Sequence, residues 1–212
     1  MRTILISILI ILFSTPSFSQ EDDFQTWHSF YLRTKSVNKT DFTLRTGLRL
    51  RENSSLYSKK FFDVKLRKKL DKRMFLSTGV RYATNWDKQF KISKTRRFYV
   101  DFTYKDKLTK RLICSIRNRW QRQADVDSYQ ILLRQKFSLQ YNIRKTKLTP
   151  ELATEYFLHL EDGINKLRST ISMSYPITKD LDFDIAYRIQ NEFFANNPET
   201  LFIFEGKLSY DL

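Results

Sequence analysis

The chain has 212 residues and a formal charge of +15 at pH 7, with 41% hydrophobic and 29% charged residues, four glycines and a single cysteine. Past the N-terminus no window approaches eighteen consecutive apolar residues, which excludes a helical membrane protein. The cationic excess is spread along the chain instead of gathered in a tail, which reads as one polar face of a sheet and, with the export signal below, excludes nucleic acid as a partner.

Residues 1–19 read as a cleavable signal peptide. Met1-Arg2 is the positive start, Ile4 to Phe13 the apolar core, and Ser17-Phe18-Ser19 the small-x-small site before Gln20. Export puts Cys114 in an oxidising compartment with no internal partner, and its place in an apolar series makes it a small hydrophobe.

Residues 20–40 form an N-terminal segment, a plug or an extra strand. Its stretch Phe24 to Thr34 alternates poorly, with Trp27 and Tyr31 on one parity and His28, Phe30 and Leu32 on the other. From Asp41 the pattern is regular. Phe42, Leu44, Leu48 and Leu50 oppose Asp41, Arg45, Arg49 and Arg51, giving a ribbon with one greasy and one cationic side. A third strand sets Phe62, Val64 and Leu66 against Asp63, Lys65 and Arg67, and a fourth sets Leu76, Val80 and Tyr82 against Ser77, Gly79 and Arg81. The fifth and sixth oppose Phe98, Val100, Phe102, Ile116 and Trp120 to Arg97, Asp101, Arg117 and Arg119. The seventh and eighth oppose Ile131, Leu133, Phe137, Leu152 and Tyr156 to Arg134, Lys136, Glu151 and Glu155. The last three repeat the pattern to Leu208, Tyr210 and Leu212, a series that looks like a terminal signal for barrel-assembly machinery.

About eleven residues per strand, tilted near 45°, span a hydrocarbon core of about 30 Å. The prediction is all-β: over residues 41–212, a transmembrane antiparallel up-and-down β-barrel of about ten strands, with twelve as the alternative. Connections of alternating longer and shorter length imply outside loops and periplasmic turns. On the apolar parity Tyr82, Trp86, Trp120, Tyr129, Tyr156 and Tyr187 fall towards the outer strand ends, and Tyr104, Tyr141, Tyr175 and Tyr210 towards the inner ends. Two aromatic girdles of this kind mark membrane interfaces, so the apolar face is expected to meet outer-membrane lipid.

The other parity then lines the lumen. It carries Arg45, Arg49, Arg81, Arg97, Arg117, Arg119, Arg134, Arg168 and Arg188, with Asp63, Asp101, Glu151, Glu155, Asp182 and Asp184 as acidic partners. Such a lumen is either a narrow path preferring small anions or a charge-paired filling of a structural barrel. The alternative is an interfacial phospholipase or acyltransferase, which needs a His beside a Ser and an acid. Only His28 and His159 are available, and no motif ties a Ser to either. No metal-ligand spacing or phosphate-binding glycine loop occurs, so no cofactor is expected.

The segments Trp27-His28-Ser29, Leu48-Arg49-Leu50-Arg51, Gly79-Val80-Arg81-Tyr82, Arg97-Phe98-Tyr99-Val100-Asp101, Arg117-Asn118-Arg119-Trp120-Gln121 and Ala186-Tyr187-Arg188 resemble a family of small bacteroidete outer-membrane barrels classified as a domain of unknown function. The resemblance spans the mature chain. It implies an outer-membrane barrel and brings no catalytic residues.

Overall fold

The computed structural model describes residues 21–34, 37–125, 128–159, 163–193 and 198–212. The predicted signal peptide, 1–19, lies outside the described residues. The described chain is all-β and closes into a barrel of eleven strands: β1 (Glu21–Arg33), β2 (Thr40–Arg51), β3 (Leu56–Lys69), β4 (Met74–Trp86), β5 (Ile92–Lys107), β6 (Leu112–Ala124), β7 (Tyr129–Tyr141), β8 (Thr149–His159), β9 (Gly163–Pro176), β10 (Leu181–Glu192) and β11 (Glu199–Asp211). Neighbours in sequence are neighbours in the wall and pair antiparallel. The upper rim is taken here as the end where β1 begins, and the lower rim as the end where β1 and β11 finish.

Two expectations are corrected. The count is eleven, not ten or twelve, and the wall is not antiparallel throughout, because β1 pairs parallel with β11 from Glu21↔Glu199 to Arg33↔Asp211. Antiparallel closure all the way round demands an even number of strands. A parallel seam relaxes that demand while giving β1 a hydrogen-bonded neighbour on both sides, so no edge is left open. Parallel pairing is slightly weaker per residue. Inside this seam Trp27 forms a buried cluster with Leu201 and Ile203, the last fully inaccessible. At its lower end Arg33 donates to Asp211 at 2.5 Å and to Asp182 at 2.7 Å, fastening β1 to β11 and β10 in register.

Among the fully described connections the expected alternation of loop lengths is also absent. Among the fully described connections, 52–55 and 87–91 lie at the upper rim and 70–73, 108–111, 142–148 and 177–180 at the lower, and the longest is 142–148. Strands β3 and β5 begin at Leu56 and Ile92, ahead of the regular alternation at Phe62 and Arg97, which shortens the upper connections before them.

Alternation sends one parity outward as a continuous apolar surface. Phe62, Leu66, Val80, Phe98, Phe102, Leu133, Phe137, Leu152, Ile171, Phe183, Ile185 and Phe204 are all exposed there. The other parity points inward, so the core of this molecule is its lumen. Two glycines shape it: Phe61 lies over its cross-strand partner Gly47 and Tyr99 over Gly79, where a Cβ would collide with each ring. Bare backbone at these points lets two large rings lie flat against the wall.

Candidate functional site

All nine sequence-predicted arginines point inward and border one cavity of about 890 Å³. This cavity follows the lumen from Ser58 and Lys59 near the upper rim to Arg67 and Lys105 near the lower.

Carboxylates divide the cations into two populations. Asp63 accepts from Arg81 Nε at 2.8 Å and from the Tyr99 hydroxyl at 2.9 Å. Asp101 takes both arms of Arg119, at 2.5 and 2.7 Å, in the forked geometry that makes Arg–carboxylate pairs strong. Glu155 gathers three guanidinium groups, with Arg117 at 2.5 Å, Arg134 at 2.9 Å and Arg168 at 3.6 Å. Arg45 at 3.4 Å and Arg188 share Glu205. Glu151 pairs with Lys136 at 2.7 Å and Asp184 with Lys207 at 2.5 Å. Asp182 is drawn to the rim by Arg33 and does not border the cavity.

The second population forms no ion pair. Among the described residues Arg49, Lys59, Lys65, Arg67 and Lys105 have no carboxylate partner, and Arg97 reaches only the Gln123 amide, at 2.5 and 3.1 Å. All six belong to β2, β3 or β5, so cations that form no ion pair run along one side of the lumen for most of the cavity's length, beside the paired Asp63 of β3 and Asp101 of β5. Aromatic faces take the place of acids for two of them: Arg49 lies 3.7 Å from the Trp27 ring centroid and Arg67 4.1 Å from that of Phe75. A ring face stabilises a cation without neutralising it. Lys59 stands in the combined field of Arg49, Arg81, Arg97 and Lys166.

Sequence reasoning had missed Glu205, Glu192, Lys166 and Lys207, all on lumen parity and recoverable from it. Tyr57, near the start of β3, lies outside the regular alternation that begins at Phe62. A register shift opposite Arg49/Leu50 turns Tyr57 outward, where its ring stacks on Trp86 at 6.2 Å. Of the aromatic residues on the outer face, Trp86, Trp120, Tyr129 and Tyr156 lie towards the upper rim and Tyr104, Tyr141, Tyr175 and Tyr210 towards the lower. Tyr187 is displaced from the expected ring: it sits at the middle of β10, between Ile171 and Phe204.

The histidines do not make a hydrolytic pair. His28 lines a groove on the outer face, whereas adjacent Ser29 is buried on the lumen side and accepts from Arg45 at 3.0 Å. His159 borders the lumen cavity with no seryl hydroxyl bonded to it among the described residues.

Residues 24–200 match the family described as "Protein of unknown function (DUF2490)". The chain belongs to this family. A comparison with curated proteins finds no match. Among solved structures, the DUF2490 barrel is similar to the KdgM porin, at 12% identity and a TM-score of 0.50 over 80% of this chain and 91% of that one. It is similar also to the NanC porin, at 16% identity and a TM-score of 0.50 over 85% and 93%. At such identities the likeness is one of fold: this DUF2490 member has the architecture of small porin barrels.

Proposed function

We propose that this protein is an outer-membrane pore that passes small anions in preference to cations. The outward apolar surface, with aromatic residues towards both rims and lumen charges sealed inside, suits a wall bathed in lipid. The observation that carries the pore reading is the track of Arg49, Lys59, Lys65, Arg67, Arg97 and Lys105, none in an ion pair among the described residues, bordering one long cavity. A lumen that only stabilised the barrel would neutralise its charges, as the other side does around Glu155 and Glu205. Surplus fixed cations instead lower the energy of an anion along the path and raise that of a cation. Porin folds supply the precedent for the architecture.

The test is single-channel recording of the refolded chain in planar bilayers under a salt gradient. Steady steps with an anion-selective reversal potential are expected, and Arg49→Ala with Lys59→Ala should lower that selectivity. A correctly inserted but silent barrel would assign the protein a structural role instead.

A further inference from the structure

The outer wall carries a pair of amides at mid-height of β6 and β7. Asn118 is the central residue of β6 and Gln135 the central residue of β7; they are register partners, both are exposed, and Gln135 Nε2 donates to Asn118 Oδ1 at 2.8 Å. Around them on the same face stand Phe102, Ile116, Trp120, Leu133, Phe137 and Tyr156. That single bond leaves each amide with an unused donor and an unused acceptor site. Two threonines on the outer face turn back to the wall instead: Thr46 donates to the Phe61 carbonyl at 3.1 Å and Thr78 to that of Tyr99 at 3.3 Å. The exposed hydroxyl of Ser169, at the centre of β9, and that of its partner Thr154 make no hydrogen bond among the described residues, and they extend the polar stripe beside the amides. A shallow groove of about 620 Å³, floored by small residues such as Ser169 and Cys114, adjoins it.

We propose that the β6–β9 wall is a self-association surface, occupied by the same wall of a second copy of this chain. The inference rests on the membrane placement proposed above, because water would satisfy these amides and hydrocarbon does not. An acyl chain offers neither donor nor acceptor at this depth, so the occupant is a protein with polar groups at the bilayer centre. A second copy inserted in the same direction brings its own Asn118 and Gln135 to that depth. Each amide both donates and accepts, so under a two-fold axis the pair complements itself.

The full chain, labelled separately with donor and acceptor dyes, is reconstituted into phosphatidylcholine vesicles, floated on a density gradient, and followed by energy transfer as lipid is added. Wild type should float and retain transfer on dilution. Asn118→Leu with Gln135→Leu keeps the face apolar and the barrel intact, and should lose transfer at a protein-to-lipid ratio at least ten-fold higher. In a Cys114→Ser background Gln135→Cys should give a disulfide-linked dimer, and Phe204→Cys, on the opposite wall, should not. Floating protein whose transfer is as dilution-sensitive as the variant's, equal transfer in the variant, or equal cross-linking at position 204 overturns the surface while leaving membrane placement intact. Failure to float overturns both.

Discussion

Glu155 holds the guanidinium groups of Arg117, Arg134 and Arg168 within 3.6 Å and is 5% exposed, whereas Arg49 faces an indole and forms no ion pair among the described residues. The two residues therefore separate stability from selectivity. Removing one partner from a buried charge cluster strands the others, at a cost of about 3 kcal/mol or more. Glu155→Gln leaves three half-buried cations without their common acid, so its urea unfolding midpoint in lipid vesicles should fall by an amount equivalent to about 3 kcal/mol. Arg49→Ala removes a stacking contact of about 0.5–1 kcal/mol together with an unneutralised charge that its neighbours repel. Its midpoint should stay within about 1 kcal/mol of wild type while its reversal potential moves towards zero. Equal unfolding shifts for the two variants would mean that Arg49 is as structural as Glu155, and the distinction between track and scaffold would collapse.

At the level of the strand, β1 decides how the barrel closes, and the parallel seam fixes neighbours that no alternative closure would bring together. Phe30 and Leu208 are register partners on its outer face. In a Cys114→Ser background, Phe30→Cys with Leu208→Cys should form a disulfide, since register partners lie within the 4.4–6.8 Å Cα separation that a bridge needs. Its closed loop would speed the denatured chain on a gel. Phe30→Cys with Phe204→Cys, four residues out of register, should stay reduced; bridging there instead would move β1 out of its present place. The other ten strands were legible because each pairs a greasy parity with a charged one, as Leu48 and Leu50 against Arg49 and Arg51 do. β1 was not: it has Trp27 and Tyr31 facing the lumen and His28 facing outward, since its inner face must cover Leu201 and Ile203. Alternation reports the contrast between faces, and at the seam that contrast is weak. Register shifts hide in the same way, as Tyr57 illustrates.

Across the whole molecule, parity could name the arginines of the lumen but not tell neutralised from free ones. Pairing depends on stagger around a closed wall: Glu155 on β8 reaches Arg117 two strands away on β6, and Glu205 on β11 reaches Arg45 across β1. What emerges only after closure is an uneven distribution of charge, with most carboxylates spent on β6 to β11 and a track of cations outside any ion pair on β2, β3 and β5, where Asp63 and Asp101 are taken by Arg81 and Arg119. If that track sets selectivity by long-range electrostatics, salt must weaken it. The screening length is about 10 Å at 0.1 M and about 3 Å at 1 M, so at low salt a permeating ion feels the whole track, and at high salt only the cation it touches. With the same fold gradient across the bilayer, the anion preference should be pronounced around 0.1 M and small around 1 M. Replacing Arg49 and Lys59 by glutamate should invert its sign at the low concentration first, because the new carboxylates act there over the length of Arg97 and Lys65 as well. A preference unchanged between the two concentrations would place selectivity in a short constriction, and the rings of Phe61 and Tyr99 lying over Gly47 and Gly79 are the part of the lumen built to make one.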